Sequence, residues 1–556
     1  MSAVLEAKHV GLRVAEARQR LALTQKNFAE RVGVPLWTLD RIESGATDAA
    51  NHLSRIADVT GLPEAWFGGV SRSAPAPTAA PLQMPGLVSR LRSYPAAGRD
   101  LVLGSIAVLV LVRFFTEVIH VIPRAANFVD IPIFGVLALA ALIRPRGDAS
   151  RRSSYMPLAV PATLFIGVAL IATLLNLSRV QPGPVCVFLY GFIAPFGVYA
   201  AVYRLWPAGQ ALAMSRLLVG LGIIQLVIVF FLDVPRFVRG HNPDLISGTF
   251  GTNQYQLVFF SLVLIGLLAG ISTFERGRLA ARFGPLLSVL ILATVFLAQY
   301  RALLATTFLT VLFIGLLLGL RGRGIVTGFF VGLAFVLTLL FVAEKYPSLR
   351  FGTTVSTLTR DPGFYASKKL RTANNVLRLY SDTPRFIVTG TGPGTFSSRG
   401  WQTFANAGST SRSNVQGRYI RASTGGGHYH TDVSDKYVTA TYQQGAVVQG
   451  SRAVYSPYSD YLSLLAEVGI FGFLTILFIY LRALVRSARL TLRLTAKAWL
   501  GDPLPALAIA STVGLFVLMQ MAVLDNWLEV TRLSFLTWAL LAVTLRELDA
   551  RRSDFA

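Results

Sequence analysis

Three arginines stand where long apolar runs of the sequence end. Arg301 follows the run 284–299, and Arg236 and Arg239 follow the run 214–232. A guanidinium group binds phosphate oxygens through paired hydrogen bonds and stays charged at physiological pH. A long basic side chain also reaches the interface between membrane and water without any ligand. These positions therefore indicate sites for an anionic group, with interfacial anchoring as the alternative.

One pair of opposite charges lies inside an apolar run. Arg113 and Glu117 are one helical turn apart, a spacing at which they can neutralise each other. Charged groups at that depth are costly, which favours a functional role. Cys186 is the only cysteine, so the chain forms no internal disulfide, and the six histidines are scattered. The sequence therefore predicts no metal centre and no cofactor.

The elements that position these residues are apolar helices. The chain is 53% hydrophobic and 14% charged, whereas soluble proteins carry roughly a quarter charged residues. Runs of 18 or more apolar residues recur, and each is long enough to cross a bilayer. The predicted fold is all-α, a polytopic membrane helix bundle with about twelve spans and a small soluble domain before them. The predicted spans are 101–120, 126–143, 157–175, 185–203, 214–232, 253–272, 284–299, 302–319, 325–343, 460–481, 504–523 and 531–545.

The charges between these spans predict their orientation. The net charge is +24, and in membrane proteins an excess of arginine and lysine marks the cytoplasmic loops. With the amino terminus inside, the basic clusters fall on cytoplasmic loops and on the tail 549–556. The turn between Leu524 and Val530 has no basic residue. The sequence therefore predicts a multi-pass protein of the bacterial inner membrane with both termini cytoplasmic.

One loop is far longer than the others. Residues 344–458, between predicted spans 9 and 10, hold fourteen Lys and Arg against five acids. Because long loops are exempt from the positive-inside rule, this charge favours a partner such as anionic lipid or glycan, with a solvated surface as the alternative. A loop of this length is usually functional or disordered.

Residues 1–70 resemble the Cro/repressor class of helix-turn-helix domains. The resemblance lies in Leu-Thr-Gln-x-x-Phe-Ala-Glu-x-x-Gly-Val from residue 23, followed by Leu39, Ile42 and Gly45. The candidate contact residues are Gln25, Trp37, Thr38 and Arg41. A Pro/Ala-rich and basic linker, 71–99, connects this segment to the membrane domain 100–548.

The partner of this domain stays open between three alternatives. Its second helix is poor in groups that read bases, and eight basic residues balance eight acidic ones over 1–70. A net charge of zero attracts phosphate weakly. Membrane-tethered domains of this class are known that bind a cytoskeletal protein, so a cytoplasmic protein partner is favoured over DNA. The third alternative is a structural remnant.

Four segments of the membrane domain resemble the O-antigen ligase and polysaccharide polymerase family. They are Gly248-Thr-Phe-Gly-Thr-Asn-Gln254, Gln299-Tyr-Arg-Ala-Leu-Leu304, Gly390-Thr-Gly-Pro-Gly-Thr-Phe396, and the segment 458–472. In the last, Ser459, Gly469 and Gly472 match the family pattern in register, and Glu467 stands where the family often has glutamate. The resemblance covers residues 100–545.

The resemblance implies a metal-independent glycosyltransferase at the outer face of the inner membrane. The donor is a glycan on a polyprenyl diphosphate, and the acceptor hydroxyl belongs to another lipid-linked glycan (a polymerase, which is favoured) or to the lipid A core (a ligase). Arg301 is expected to hold the diphosphate, with Arg236, Arg239 and Asn253 as further substrate contacts. Gly469 and Gly472 are more typical of close packing than of substrate binding.

The sequence departs from the family at one position. Tyr458 replaces the histidine that is expected to activate the acceptor, and a tyrosine with a pKa near 10 is a poor base at neutral pH. Either another group serves as the base, or proton removal occurs late and needs little help. His428 and His430 lie in the same loop, and Asp460 and Glu467 are close in sequence.

Two other classes of protein fit part of the pattern. Secondary transporters also have twelve spans, but they usually divide into similar halves, and no internal repeat is visible here. A membrane-tethered transcription regulator fits the amino-terminal domain, although the balanced charge of that domain argues against it.

Overall fold

The computed structural model is predominantly helical over the residues it describes. These are residues 10–18, 23–44, 46, 49–60, 62, 67, 95–143, 156–240, 246–251, 253–274, 279–298, 302–318, 362–405, 429, 431–439, 459–496 and 502–552. Within them no strand is present. The chain divides into two compact units, Met1–Gly86 and Leu87–Ala556.

The first unit is a small bundle of short helices. They span residues 10–18 (α1), Gln25–Val32 (α2), Leu36–Glu43 (α3) and Leu53–Thr60 (α4). Thr24 caps α2 by accepting a hydrogen bond from the Asn27 backbone N–H, which satisfies one of the free donors at the helix start. Gly33 ends α2 in the left-handed conformation. The core contains Phe28, Leu39 and Ile42, and the last two are residues that match the helix-turn-helix pattern in the sequence.

The second unit is dominated by long apolar helices. They are Pro95–Arg113 (α5), Asp130–Ile143 (α6), Ala159–Leu175 (α7), Pro182–Leu205 (α8), Ala211–Ile228 (α9), Val234–Gly240 (α10), Gln254–Phe274 (α11), Leu279–Leu297 (α12) and Ala302–Leu318 (α13). After a set of shorter helices come Asp460–Ala496 (α18, which is kinked at Gly469), Leu504–Leu524 (α19) and Thr531–Arg552 (α20). At the centre, α19 packs against α11 and α18, and α20 packs against α8.

Six segments of the described chain are long and apolar enough to cross a membrane. They are Ala97–Val118, Pro182–Leu205, Ala211–Arg239, Gln254–Phe274, Asp460–Ala496 and Leu504–Leu524. Shorter apolar helices lie at Asp130–Ile143, Ala159–Leu175, Phe283–Leu297 and Thr306–Leu318. Ten of the twelve predicted spans coincide with these segments. The span 531–545 falls in α20, which is outside both sets, and the span 325–343 lies outside the described residues, so the count of twelve stays a prediction.

Part of the predicted loop 344–458 folds into a small subdomain. Its helices are Pro362–Asp382 (α14), Phe386–Thr389 (α15), Arg399–Ala405 (α16) and Asp432–Ser434 (α17). Phe396, Trp401 and Val438 are fully buried in a separate hydrophobic core, to which Ala466 of α18 also contributes. This core fixes the subdomain against the first turns of α18.

Candidate functional site

A buried carboxylate organises the loop between α15 and α16. Glu467 of α18 is fully buried. Its Oε1 accepts hydrogen bonds from the backbone N–H groups of Phe396, Ser397 and Ser398 at 2.9–3.0 Å, and its Oε2 accepts one from Gly394 at 2.5 Å. Four charge-assisted bonds to one carboxylate hold the loop rigidly. Glu467 thus ties the segment 390–398 to α18.

Two glycines allow the loop and α18 to cross closely. Gly390 has φ +64°, and a Cβ there would collide with the Glu467 backbone. Gly469 has φ +68°, and a Cβ there would lie 2.5 Å from the Val388 carbonyl oxygen. Positive φ is accessible to glycine at little cost. Two segments that resemble the polymerase family, 390–396 and 458–472, therefore meet at this crossing.

Arg399 follows directly on the loop that Glu467 holds. Its backbone N–H donates to Glu529 Oε2 at 2.9 Å, and its Nε donates to the Asn526 carbonyl oxygen at 3.0 Å. Asn526 Nδ2 in turn donates to the Ser397 carbonyl oxygen at 2.8 Å. The Arg399 side chain also hydrogen-bonds Tyr255, at the start of α11. Arg399 is half-buried as a residue, and these contacts fix the direction of its guanidinium.

Two buried carboxylates lie behind Arg399. Asp460, the first residue of α18, accepts a hydrogen bond from the Leu528 backbone N–H at 2.7 Å. Its other oxygen and Oε1 of Glu529 are buried without a hydrogen-bond partner in the described structure. A buried charge without partners is costly. Arg399 supplies part of the compensating charge for both acids. We call Arg399, Tyr255, Asp460 and Glu529 the Arg399 cluster.

A second charged group lies beside this cluster. Arg113 Nη1 is 3.7 Å from Glu117 Oε1, which also accepts a hydrogen bond from Asn127 Nδ2 at 2.9 Å. Arg532 Nη2 donates to the Asn127 carbonyl oxygen at 2.7 Å, and its Nη1 is buried without a partner among the described residues. Arg532 also lies within electrostatic range of Tyr255. The pair predicted from sequence is thus one part of a network that also contains Asn127 and Arg532.

The Gly248 loop is fixed between these groups. Asp233 Oδ2 accepts the backbone N–H groups of Ser247 and Gly248 at 3.0 and 2.7 Å. The Thr249 hydroxyl donates to the Val110 carbonyl oxygen at 2.8 Å. This loop leads directly into α11 and positions Tyr255 at its start. Arg532 also borders a small cavity whose other walls are apolar, including Val110, Phe250 and Phe260.

The environment sets the charges of Arg399 and Glu529. Burial alone disfavours the charged form of Arg399, but Tyr255, Asp525 and Glu529 raise the pKa of its guanidinium above the ordinary value. Burial raises the pKa of the Glu529 carboxyl well above its usual value, and Asp460 and Glu467 raise it further. Arg399 therefore carries a firm positive charge, while Glu529 takes up a proton more readily than an exposed glutamate.

The proton on Glu529 predicts a pH dependence of stability. Because the folded protein holds a proton that the unfolded chain releases, the free energy of unfolding falls as pH rises above about 4.5 toward the raised pKa, by up to about 1.4 kcal/mol per pH unit. Glu529→Gln keeps an acceptor for the Arg399 N–H and should remove this component. Thermal unfolding of both proteins in detergent at pH 5 and pH 8 measures it. Equal changes in melting temperature with pH would contradict the assignment.

The residues predicted from sequence are only partly brought together. Glu467 and Gly469 lie beside the Arg399 cluster, and Gly472 packs toward Val168 of α7. The Asn253 side chain donates within its own loop, to the Phe250 carbonyl oxygen at 3.2 Å. Arg236 and Arg239 are exposed on α10. Arg301, Tyr458, His428 and His430 lie outside the described residues, so their roles stay predictions.

Sequence reasoning did not single out Arg399, Glu529 or Arg532. Arg399 was one of fourteen basic residues in a long loop. The turn that contains Glu529 contributes to the predicted orientation through its lack of basic residues. It also contains two acids, Asp525 and Glu529, between two apolar runs. These acids could have indicated the site, because acids beside a membrane span are rarely left unpaired.

In the amino-terminal unit, the predicted contact residues differ in their exposure to solvent. Trp37 is 65% exposed, and Arg41 is exposed beside it on α3. Thr38 is half-buried. Gln25 Nε2 donates to Glu43 Oε2 at 2.9 Å, and Arg18 Nε donates to Glu43 Oε1 at 2.6 Å. Gln25 therefore joins α2 to α3, whereas Trp37 and Arg41 are available to a partner.

Comparison with known proteins identifies this unit. No curated protein matches the chain. Residues 14–67 match the helix-turn-helix family, in agreement with the arrangement of α2 and α3. The amino-terminal unit is therefore a helix-turn-helix domain, followed in the chain by helices that are long and apolar enough to cross a membrane.

Proposed function

We propose that the membrane domain is a glycosyltransferase that polymerises or ligates glycan carried on a polyprenyl diphosphate. The observation that carries the proposal is the convergence of three of the four family-like segments. The segment Gly248–Gln254 leads into Tyr255, the segment 390–396 leads to Arg399, and the segment 458–472 contains Asp460. In the fourth segment, Arg301 remains a proposed contact outside the described residues.

The proposed reaction needs positive charge on the leaving group. The acceptor oxygen forms a bond to the anomeric carbon of the donor, the bond from that carbon to the diphosphate oxygen breaks, and the acceptor proton passes to a base. Arg399 is the cation of the cluster, so it is the proposed contact for the departing diphosphate, together with Arg301. A guanidinium fork suits phosphate oxygens. No group of three His, Cys, Asp or Glu suited to a metal ion occurs within the described residues.

The buried acids are proposed to position Arg399 rather than to contact substrate. Glu467 has both oxygens occupied by backbone donors, and Asp460 is fully buried. The proposed bases for the acceptor hydroxyl are therefore Tyr458, His428 and His430.

The activity can be tested with the purified chain in lipid nanodiscs. The probe is a polyprenyl-diphosphate oligosaccharide offered without metal ions. Longer lipid-linked glycans together with free polyprenyl diphosphate indicate a polymerase. Transfer that occurs only when lipid A core is added indicates a ligase. If the donor is consumed in neither reaction, the proposed function is wrong.

The helix-turn-helix domain favours a second candidate, a membrane-tethered regulator that binds DNA. Against it stand the balanced charge of residues 1–70 and the exposed apolar start of α3, where Leu36 and Trp37 lie. Low net charge gives little attraction to phosphate. We therefore propose a cytoplasmic protein as the partner of this domain.

We expect the unit 1–86 to bind DNA weakly and without sequence preference at physiological salt. Fluorescence anisotropy against genomic fragments, followed by footprinting of any retained fragment, measures the affinity. Specific binders reach dissociation constants of about 10⁻⁸ M or tighter. A site-specific constant in that range would establish the regulator and refute the proposed protein partner.

A further inference from the structure

Helix α14 has an apolar face toward its own subdomain and another toward the surface. Val376 and Leu379 are buried in the subdomain core. On the opposite side, Leu370 is 61% and Leu377 is 64% exposed. These two leucines are seven residues apart and therefore share one side of the helix. Exposed leucines in such a stripe indicate a surface that binds something apolar.

The contacts of α14 and α15 fix their level along α18. The Tyr380 hydroxyl donates to the Leu465 carbonyl oxygen at 2.7 Å. Val388 of α15 lies against Gly469, four residues further along the chain. Helix α18 is kinked at Gly469, where the backbone is not helical. The carboxyl-terminal end of α14 and the short helix α15 therefore lie beside the kink at which α18 enters its apolar stretch.

The exposed apolar surface continues from α15 onto the long helices. Ile387 and Val388 are 41% and 53% exposed. Immediately beyond Gly469, α18 exposes a stripe of large apolar residues, and so does the adjoining end of α7, whose Asn176 Nδ2 donates to the Gly390 carbonyl oxygen at 3.2 Å. These residues are Phe471, Leu474 and Phe478 of α18 and Leu174 and Leu175 of α7. The exposed surface of α15 is thus continuous with a surface suited to lipid chains.

The charges around this surface are positive. Arg371, Arg378 and Arg385 are exposed beside the leucines and Ile387. Among residues 362–405, Asp382 is the one acid, and its carboxylate is occupied by Lys436 Nζ at 2.6 Å and the Tyr437 hydroxyl at 2.5 Å. Basic residues flanking an apolar helical stripe are typical of helices that lie in the headgroup region of anionic membranes.

We propose that Leu370, Leu377, Ile387 and Val388, with Arg371, Arg378 and Arg385, form a membrane-binding surface that rests on the anionic phospholipids of the adjoining leaflet. The leucines enter the headgroup region and the three guanidinium groups bind lipid phosphates. This places the subdomain, and Arg399 with it, at a fixed height over the bilayer. The proposal is independent of the catalytic one.

The test uses an environment-sensitive fluorophore on the full chain. Cys186→Ser removes the single native thiol, and Leu377→Cys receives the label. In nanodiscs with phosphatidylglycerol, we expect a blue-shifted emission that is quenched by lipids with a spin label near the headgroup. We expect weaker quenching in phosphatidylcholine alone. The same label at Asp40→Cys, on the exposed face of α3, should show neither effect and serves as the control.

Charge removal separates lipid binding from burial by another part of the protein. The triple change Arg371→Gln, Arg378→Gln and Arg385→Gln should abolish the difference between the two lipids at position 377. A label at 377 that is not quenched in either lipid would overturn the proposal. A blue shift without lipid quenching would also overturn it, because glycan or a segment of the chain would then cover the surface.

Discussion

Replacing Arg399 with alanine is expected to reduce glycan transfer about 10²–10³-fold, because such a loss follows removal of one preorganised donor at a developing negative charge. Arg399→Lys should be impaired nearly as strongly. Lysine keeps the charge but loses the planar fork and the Nε contact to Asn526. The measurement is the initial rate of donor consumption in nanodiscs. The matched control is Arg489→Ala, an exposed arginine of α18, which should retain activity.

The two Arg399 variants also distinguish a role in the chemical step from a role in donor binding. Loss of a group that stabilises the departing diphosphate lowers kcat, whereas loss of a group that only binds the donor raises KM. We expect the loss mainly in kcat. Normal kcat for Arg399→Ala at normal abundance would remove Arg399 from the reaction, and Arg301 would then be the remaining proposed contact for the diphosphate.

The second large effect is expected on stability. Glu467→Ala leaves four backbone donors of the 394–398 segment without their acceptor, and each buried donor left unpaired costs about 1–3 kcal/mol. We expect a loss of at least about 3 kcal/mol and reduced abundance. Glu467→Gln should lose an intermediate amount of stability. Its carbonyl oxygen can keep the three bonds made by Oε1, while its amide group faces the Gly394 N–H, another donor.

Thermal unfolding in detergent and immunoblots of membranes measure this effect. The control is Asp432→Ala in the same subdomain. Its carboxylate binds Arg179 at 2.9 Å but is 59% exposed, and exposed ion pairs contribute about 0–1 kcal/mol. If Glu467→Ala unfolds at the same temperature as Asp432→Ala, the carboxylate does not hold the loop.

The parts of the molecule whose structure depends on a local sequence pattern were predictable from sequence. The apolar runs gave the positions of α8, α9, α11 and α19, because a bilayer-length helix needs only continuous hydrophobicity. The helix-turn-helix domain was predictable because Thr24, Gly33 and Leu39 occupy cap, turn and core positions within twenty residues. Each of these signals is local in the chain.

The candidate site depends on contacts that are distant in sequence. Arg399 and Glu529 are 130 residues apart, and no local pattern distinguishes Arg399 from the other basic residues of its loop. Glu467 was predicted as a catalytic residue from its place in a motif, and that role stays untested. Its burial and its four backbone donors depend on the 390–398 segment crossing α18 at Gly469, a fold of the long loop that the sequence did not indicate.

The central claim is that this chain assembles glycan, and deletion of its gene tests it most directly. Surface and secreted glycans of the deletion strain are compared after complementation with the wild-type chain or with Arg399→Ala at equal abundance. The account predicts that polymeric glycan is lost or lipid-linked glycan accumulates, and that only the wild-type chain restores the normal pattern. An unchanged glycan profile in the deletion strain would contradict the account.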